Sequence, residues 1–354
     1  MKVLVVGNGT TRFNSKSQYF INRHTGKMLL KIKDEHEVSF AQRCKKLGDN
    51  IDLADFELSK QEIKHIDVNP KSLYNLSRFF FELFKYEFVY IFFPGTLSRI
   101  VSIFCILTRK RFGLYVRGQF FMQNKSDRLI LKSAAFILTV SPQFVEQLSR
   151  YCSDVEIIKP MIEIELADIV PHKGYFNEPL KLLFVGRVEA RKGIYELFEI
   201  YEYLTLNGIN FELNIVGGGD LFEFCKKEIE RQKAENIILH GMISDRQVLH
   251  ALYETADIFI FPSYDEGFPR VLYEAMAHSI PIFTTFVGGI PGRMIDNVNC
   301  IEIPVKNGSE SAKIIRYYID NKAKLISLAD GGRETLVYIL DNLKLHEAML
   351  LSKI

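Results

Sequence analysis

Two glutamates late in the chain, Glu266 and Glu274, are separated by seven residues in the stretch DEGFPRVLYE. The preceding segment, ADIFIFPS, has the character of a buried strand that stops at Pro262, because proline cannot donate to a strand ladder. We therefore expect Glu266 in the loop after that strand and Glu274 in a helix that begins near Pro269. Both carboxylates could accept paired hydrogen bonds from sugar or ribose hydroxyls. Alternatively, Glu266 complements the helix dipole and Glu274 pairs with Arg270 at i,i+4.

Two cations follow an earlier predicted strand, in the stretch FVGRVEARKG. Arg187 comes directly after the strand's terminal glycine, and Lys192 comes five residues later, at the start of a predicted helix. Cationic side chains beside a helix N-terminus, with its unpaired N–H groups, suit a diphosphate. The alternative is that both are surface cations of a strand–helix loop.

Glycine loops follow several predicted strands. In IVGGGD, Gly217 and Gly218 permit a close approach of the backbone to a ligand. Near the N-terminus, Gly7 and Gly9 give half of a dinucleotide fingerprint, but Arg12 occupies its third glycine position. The match to an NAD site is therefore poor, and we expect a flexible glycine loop that faces a cleft.

The elements that must position these residues alternate between strand and helix in both halves of the chain. Continuous apolar runs, such as residues 88–93 and 112–116, are typical of strands in buried parallel sheets. This pattern predicts an α/β protein of two doubly wound Rossmann-like domains, with a cleft at the carboxyl ends of their strands. We expect the domains to span residues 1–165 and 175–333. The first strand is predicted at residues 2–6.

Bulk composition indicates an ordinary globular protein of about two domains, since 354 residues exceed one typical core. The net charge of +2 divides unevenly. Residues 1–175 hold 26 Lys and Arg against 18 Asp and Glu, and residues 176–354 hold 19 against 25. The basic half could meet an anionic membrane or acceptor.

Five scattered cysteines fit a reducing compartment and no zinc site. Neither a signal peptide nor a membrane-spanning segment is expected.

The order of these motifs, strand-GR…K, strand-GGG, strand-HG, PS..EGF…E and strand-GGIP, resembles the retaining glycosyltransferase family 4, which has the GT-B fold. The resemblance is specific over about residues 180–305 and weak in the N-terminal half. It implies an enzyme that transfers a sugar from a UDP-, GDP- or ADP-sugar, without cofactor or metal. It also implies that a C-terminal helix, about 334–354, packs back on the first domain.

The resemblance assigns roles to residues of this chain. Arg187 and Lys192 correspond to the cations on the donor diphosphate, Glu266 to the acid near the donor sugar, and Glu274 to the acid on the ribose. The remaining expected donor contacts, largely through the backbone, are Gly7, Gly9, Gly217, Gly218, Met242, Ile243, Gly267, Phe268 and Pro269.

The sequence departs from the family at two positions. Arg117 stands where a histidine near the sugar is expected, so it is a candidate catalytic residue that contacts the phosphate or the acceptor. Gly292 stands where an acidic residue often follows GGIP. The chemistry implied is same-face attack on an oxocarbenium-like carbon with assistance from the leaving phosphate, so Glu266 is not assigned as a covalent nucleophile.

The acceptor side is less specific. The family includes many enzymes of bacterial surface-polysaccharide assembly, so we expect a glycan or lipid-linked glycan acceptor, a cytoplasmic location at the inner face of the membrane, and no nucleic-acid partner. The segment 97–111 combines an apolar helix with a cationic end, which suits either a membrane surface or a core helix with a solvated end. Alternatives to the transferase are a sugar-nucleotide epimerase of the same fold, a catalytically degenerate partner protein and, least compatible with Arg12, an NAD-dependent dehydrogenase.

Overall fold

The computed structural model describes residues 1–16, 18–46, 56–116, 124–160 and 162–354. The strands, in chain order, are β1 (Lys2–Phe13), β2 (Tyr19–Ile21), β3 (Glu37–Lys46), β4 (Phe56–Glu57), β5 (Lys64–Asp67), β6 (Phe88–Phe93), β7 (Phe112–Val116), β8 (Ile137–Thr139), β9 (Val155–Ile157), β10 (Leu180–Val185), β11 (Phe211–Val216), β12 (Ile237–Gly241), β13 (Ile258–Phe261), β14 (Ile282–Thr284) and β15 (Ile301–Glu302). The helices are α1 (Arg23–Lys33), α2 (Leu73–Leu83), α3 (Thr96–Leu107), α4 (Lys125–Ser133), α5 (Pro142–Ser149), α6 (Ile194–Leu206), α7 (Phe222–Gln232), α8 (Arg246–Thr255), α9 (Arg270–Ala277), α10 (Gly308–Ile319), α11 (Lys322–Asn342) and α12 (His346–Leu351).

The described chain divides into two compact units. One comprises Met1–Met161 together with Leu343–Ile354, and the other comprises Ile162–Asn342. Each unit contains a largely parallel sheet with helices, so the α/β prediction of two Rossmann-like domains is confirmed. Helix α11 runs to Asn342 inside the second unit, and the segment that returns to the first unit begins at Leu343.

The first unit is organised by a sheet in the order β4-β2-β1-β6-β7-β8-β9, with β3 paired to β1 and β5. All six residues of β6 are buried, as its continuous apolar sequence predicts. Successive residues of a strand point to opposite faces. Val89, Ile91 and Phe93 accordingly enter one apolar cluster, and Phe88 and Tyr90 enter another.

The first strand is longer than the sequence suggested. We expected it to end at Val6 in a flexible glycine loop, but β1 continues to Phe13, with a register shift between Val6 and Thr10. A Cβ at Gly7 or Gly9 would approach the Gln42 side chain within 3.0 Å and 2.8 Å, respectively. These glycines therefore make room for Gln42 inside an irregular strand, and the expectation of a loop was wrong.

The C-terminal segment is fixed to the first unit by a buried histidine. His346, on α12, is 2% exposed, and its Nε2 lies 2.6 Å from the Tyr90 hydroxyl. Its ring also packs against Tyr115, with ring centroids 4.4 Å apart. Lys353 adds an ion pair with Asp154 at 2.5 Å.

The second unit contains a sheet in the order β12-β11-β10-β13-β14-β15, and each neighbouring pair of strands is parallel. The carboxyl ends of parallel strands meet at one edge, which is where ligands bind in open α/β sheets. This edge carries most of the site residues that are predicted from the sequence. Within the described residues, no helix is both long and apolar enough to cross a membrane.

Candidate functional site

Three loops meet at the carboxyl ends of β10, β11 and β12. The Gly186 amide donates to the Val216 carbonyl at 3.0 Å, and the Gly217 amide donates to the Gly241 carbonyl at 2.8 Å. The Val188 amide donates to the carbonyl of Gly218 at 3.0 Å. The strand-end glycines therefore bring the three predicted loops into direct contact.

Glycine is required at the centre of this contact. Gly217 has a φ of 138°, and a Cβ there would overlap the carbonyl oxygen of Gly186. A Cβ at Gly218 would lie 4.0 Å from the Cβ of Met242, which follows β12 and is exposed, whereas Ile243 is half-buried. The structure thus brings Gly218 and Met242 together beside the strand end that precedes Arg187.

Lys192 and Glu266 form an ion pair between the loops that follow β10 and β13. The paired oxygen of Glu266 also accepts a hydrogen bond from the Ser263 hydroxyl at 2.9 Å. The ammonium group of Lys192 lies 5.6 Å from the centre of the Phe261 ring, within cation–π range. The Lys192 and Glu266 side chains are 12% and 11% exposed, so this is a largely desolvated pair of opposite charges.

The chain path fixes Lys192 at the start of α6. Lys192 ends a short 3₁₀ turn, and Gly193, with a φ of 75°, lies between it and Ile194. A Cβ at Gly193 would overlap the Pro262 carbonyl, so the glycine lets the two loops approach. The N-terminus of α6 adds a partial positive charge beside the ammonium group.

The loop that carries Glu266 is held from three sides. The Tyr264 amide donates to the carbonyl of Arg191 at 2.8 Å, and the Ser263 hydroxyl oxygen lies 3.1 Å from the same carbonyl oxygen. The Thr285 hydroxyl, from the end of β14, donates to the Ser263 carbonyl at 2.5 Å. The Gly289 amide donates to the Gly267 carbonyl at 2.7 Å. The acid therefore lies on a cross-linked loop.

Arg187 is the more accessible of the two predicted cations. Its side chain is 57% exposed, and its guanidinium donates to Glu189 at 2.7 Å. Glu189 also accepts from Arg191 at 2.9 Å. An exposed guanidinium can turn from Glu189 to an incoming phosphate and still form charge-assisted hydrogen bonds.

Glu274 is engaged separately, on the second turn of α9. Its Oε2 accepts a hydrogen bond from the buried Tyr253 hydroxyl at 2.8 Å. Burial, reinforced by the charge of Glu274, raises the pKa of Tyr253 well above its usual value, so this hydroxyl stays a donor. The cavity that Glu274 lines has a volume of about 200 Å³, and it is lined also by Glu163, Ile164, Asp168, Arg246, Leu249, His250, Tyr253, Ala277 and His278.

The remaining predicted residues are placed as follows. Phe268 packs on the ring of Tyr273, with centroids 4.6 Å apart, and Pro269 is the N-cap of α9. Gly7 and Gly9 line a cavity of about 140 Å³ in the first unit. Arg117 lies outside the described residues. No group of three or more His, Cys, Asp or Glu side chains that could hold a metal occurs in the part of the chain that the structure describes.

Several residues that complete the site were not predicted. Tyr253 lies 21 positions before Glu274 on a different helix, and its helical spacing from Leu249 indicates only a core face. Ser263, which donates to Glu266, and Glu189, which accepts from Arg187, were not among the predicted site residues. Their roles depend on partners that are distant in sequence or on rotamers.

The two units together constitute a GT-B fold. The structure is similar to that of a lipopolysaccharide outer core galactosyltransferase, WaaB. The alignment covers 100% of each chain, with a TM-score of 0.71 and 18% identity. It aligns equally fully with HepE of Anabaena in complex with UDP, at a TM-score of 0.65 and 14% identity. At these identities, the likeness concerns the fold.

Residues 168–335, slightly less than half of the chain, match the family described as glycosyl transferases group 1. The putative teichuronic acid biosynthesis glycosyltransferase TuaC of Bacillus subtilis is 31% identical over 232 residues, which is 63% of this chain and 55% of the relative. An amylovoran biosynthesis glycosyltransferase, AmsK of Erwinia amylovora, is 28% identical over 163 residues, 44% of this chain and 40% of the relative. The chain thus spans about half the length of these curated relatives.

Proposed function

We propose that this protein is a retaining glycosyltransferase of family 4 that transfers a sugar from a nucleoside diphosphate donor to a glycan or lipid-linked glycan. The observation that carries the proposal is the largely desolvated Lys192–Glu266 pair at the start of α6, beside the glycine loops of the same sheet edge. The names of the relatives, which concern teichuronic acid and amylovoran biosynthesis, support a role in surface-polysaccharide assembly.

The cations supply the main electrostatic stabilisation in this mechanism. As the donor's glycosidic bond breaks, negative charge develops on the leaving phosphate. Lys192, Arg187 and the N-terminus of α6 present positive charge to that position. In the free protein, Glu266 neutralises Lys192, which keeps the ammonium group in place within a desolvated site.

Donor binding exchanges partners in this arrangement. The diphosphate replaces Glu266 as the counter-ion of Lys192, and the Glu266 carboxylate then accepts hydrogen bonds from the donor sugar. Glu274 accepts from the ribose hydroxyls. The loops at Gly217–Gly218, Met242–Ile243 and Gly267–Pro269 contribute backbone groups to the donor.

The acceptor hydroxyl attacks the sugar carbon from the face that the phosphate leaves. The leaving phosphate oxygen takes the proton of the acceptor, so the configuration is retained without a covalent enzyme intermediate. This scheme assigns no step to a metal ion. Transfer should therefore persist at full rate in EDTA, and a loss of activity that magnesium restores would contradict this part of the proposal.

We further propose that the first unit contacts an anionic membrane surface to reach a lipid-linked acceptor. One face of α2, continued by Phe84 just after the helix, carries exposed apolar and aromatic side chains. Phe84 also packs against Phe104 of α3. Residues 68–116 hold seven Lys and Arg against two Asp and Glu, which complements anionic lipid. The exposed apolar side chains of this stripe and of α3 are Leu73, Tyr74, Phe81, Phe84, Ile103 and Leu107.

Vesicle flotation tests the membrane contact. The protein should float with vesicles of phosphatidylglycerol and phosphatidylcholine but not with phosphatidylcholine alone, because cations and apolar groups act together. Phe81→Ser should weaken flotation, whereas Leu206→Ser, at an exposed apolar position on α6, should not. Equal binding to both kinds of vesicle would contradict the charge argument.

A thermal-shift screen with UDP, GDP, ADP and their sugars tests the donor site. A ligand that binds the folded state raises the melting temperature according to its concentration over its dissociation constant. One nucleotide should stabilise the wild type, and Lys192→Ala and Glu274→Ala should each remove most of that shift. A chain that none of these ligands stabilises would overturn the proposed function.

A further inference from the structure

The buried residue Tyr253 forms a hydrogen bond with Glu274, the acid that we assign to the ribose. Its side chain is 2% exposed, and its hydroxyl donates to Oε2 of Glu274 at 2.8 Å. The ring stacks on His278 at a centroid distance of 5.2 Å and an angle of 19°, and on Phe259 at 5.9 Å and 25°. Ring stacking with His278 and Phe259, together with the hydrogen bond to Glu274, fixes the orientation of the Tyr253 ring and its hydroxyl.

The backbone of α9 is tied to the same aromatic cluster. Nδ1 of His278 lies 2.8 Å from the carbonyl oxygen of Glu274. Because that oxygen can only accept, Nδ1 carries the proton and donates. Phe259 belongs to the buried strand β13, so the cluster connects Glu274 to the sheet by two routes, one through its side chain and one through its carbonyl.

We propose that Tyr253 is a positioning residue for donor recognition, whose hydroxyl holds the Glu274 carboxylate in the orientation that accepts the ribose hydroxyls. This inference rests on the proposed function, in which Glu274 binds ribose. A carboxylate offers about four acceptor positions, so the bond to Oε2 leaves capacity for the ligand. An acceptor that is already ordered loses less conformational freedom when the donor binds.

A purely structural role predicts a different outcome. If the Tyr253 hydroxyl only satisfies a polar group in the core, its removal changes stability but leaves nucleotide recognition as it was. The discriminating quantity is the ratio of two dissociation constants, that of the 2′,3′-dideoxynucleoside diphosphate over that of the parent nucleotide. This ratio reports how strongly the site recognises the ribose hydroxyls, and a change in overall stability does not alter it.

The experiment is a titration of wild type and Tyr253→Phe with UDP, GDP and ADP and with their dideoxy analogues. Phenylalanine retains the stacked ring and deletes only the hydroxyl. Tyr201→Phe is the matched control, because Tyr201 is also buried, on α6, and its hydroxyl donates to Asn236 at 2.8 Å, just before β12 at the opposite edge of the sheet. Melting temperatures of both variants account for any loss of stability.

We expect the wild-type ratio to be about tenfold or more, as for hydrogen bonds to a charged group. In Tyr253→Phe the ratio should fall at least about threefold, with the loss confined to the parent nucleotide, and in Tyr201→Phe it should be unchanged. A wild-type ratio retained or increased in Tyr253→Phe would overturn the inference while leaving the donor site intact. Wild-type protein that binds none of the nucleotides would instead overturn the proposed function, and this inference with it.

Discussion

Breaking the Lys192–Glu266 pair should show strong coupling between the two side chains. The perturbations are Lys192→Met, Glu266→Gln and the double variant. Each single change removes one charge and leaves the other in a site where both side chains are nearly nine-tenths buried. The double change removes both charges, so its cost should be well below the sum of the single costs.

The magnitude follows from burial and partners. Unit charges about 4 Å apart interact by about 4 kcal/mol at an effective dielectric constant of about 20. Removing one partner of a fully buried pair costs about 3–5 kcal/mol. The remaining exposure and the surviving contacts to Ser263 and Phe261 reduce this to about 2–3 kcal/mol for each single variant. We expect a coupling free energy of about 2 kcal/mol.

The assay is calorimetric melting of all four proteins. For a domain of this size, one kcal/mol corresponds to about 2–4 °C, so the non-additivity should be about 4–8 °C in the transition of the second unit. The control cycle uses Lys226→Met and Glu223→Gln on α7. That pair has a distance of 2.8 Å, but its side chains are 51% and 73% exposed, so its coupling should stay below about 1 kcal/mol.

Additive melting shifts in the Lys192–Glu266 cycle would refute the argument. They would mean that the two charges do not interact in the folded protein and that Lys192 is not held for a phosphate by an internal counter-ion. Equal coupling in the two cycles would likewise show that burial does not strengthen the pair.

Two further predictions concern the first unit. His346→Ala should lower the unfolding free energy of the first unit by about 2–4 kcal/mol, because a cavity opens and the Tyr90 hydroxyl loses its partner. Calorimetry should show a lower melting temperature for the first unit alone. A shift confined to the second unit would contradict this prediction. Burial lowers the pKa of His65 from 6.5 to about 4. As the pH falls, the unfolded chain therefore protonates His65 before the folded protein does. The stability that neutral His65 contributes is complete above pH 6.5 and declines as the pH falls toward 4, by about 3 kcal/mol in total. His65→Gln should flatten this decline in denaturant titrations across that range, and an unchanged slope would contradict the assignment.

The buried strands of this fold could be predicted from sequence because their composition alone identifies them. The runs at residues 88–93 and 112–116 coincide with β6 and β7, since a strand covered on both faces is apolar throughout. The loop predicted after Val6 was wrong because glycine occurs both in loops and at irregularities within strands. The extension of β1 to Phe13 depends on pairing with β2 and β3, which a local pattern does not contain.

The C-terminal helices illustrate a second limit. We expected a C-terminal helix over about residues 334–354, and the sequence has no glycine or proline between Asn342 and His346. In the structure, however, α11 ends at Asn342 and α12 begins at His346. The chain turns there because α12 packs on the first unit, and this is a tertiary cause.

The site was predictable as a set of strand ends and unpredictable as a set of contacts. Spacing placed Glu266 in a loop and Glu274 in a helix, because the strand that precedes them is unambiguous. The pairing of Glu266 with Lys192 joins residues 74 positions apart, and the Tyr253–Glu274 bond joins two helices. Such contacts depend on rotamers and loop conformations, and no periodicity encodes them.

The most direct test of the central claim is a calorimetric binding titration with the nucleoside diphosphate that the thermal-shift screen selects. We predict one binding site in the wild type, affinity reduced by about tenfold or more in Lys192→Ala, and wild-type affinity in Lys226→Ala. Only Lys192→Ala removes a charge-assisted hydrogen bond to phosphate. Equal affinities in all three proteins, or no binding by the wild type, would contradict the claim that this sheet edge is a nucleotide-sugar site.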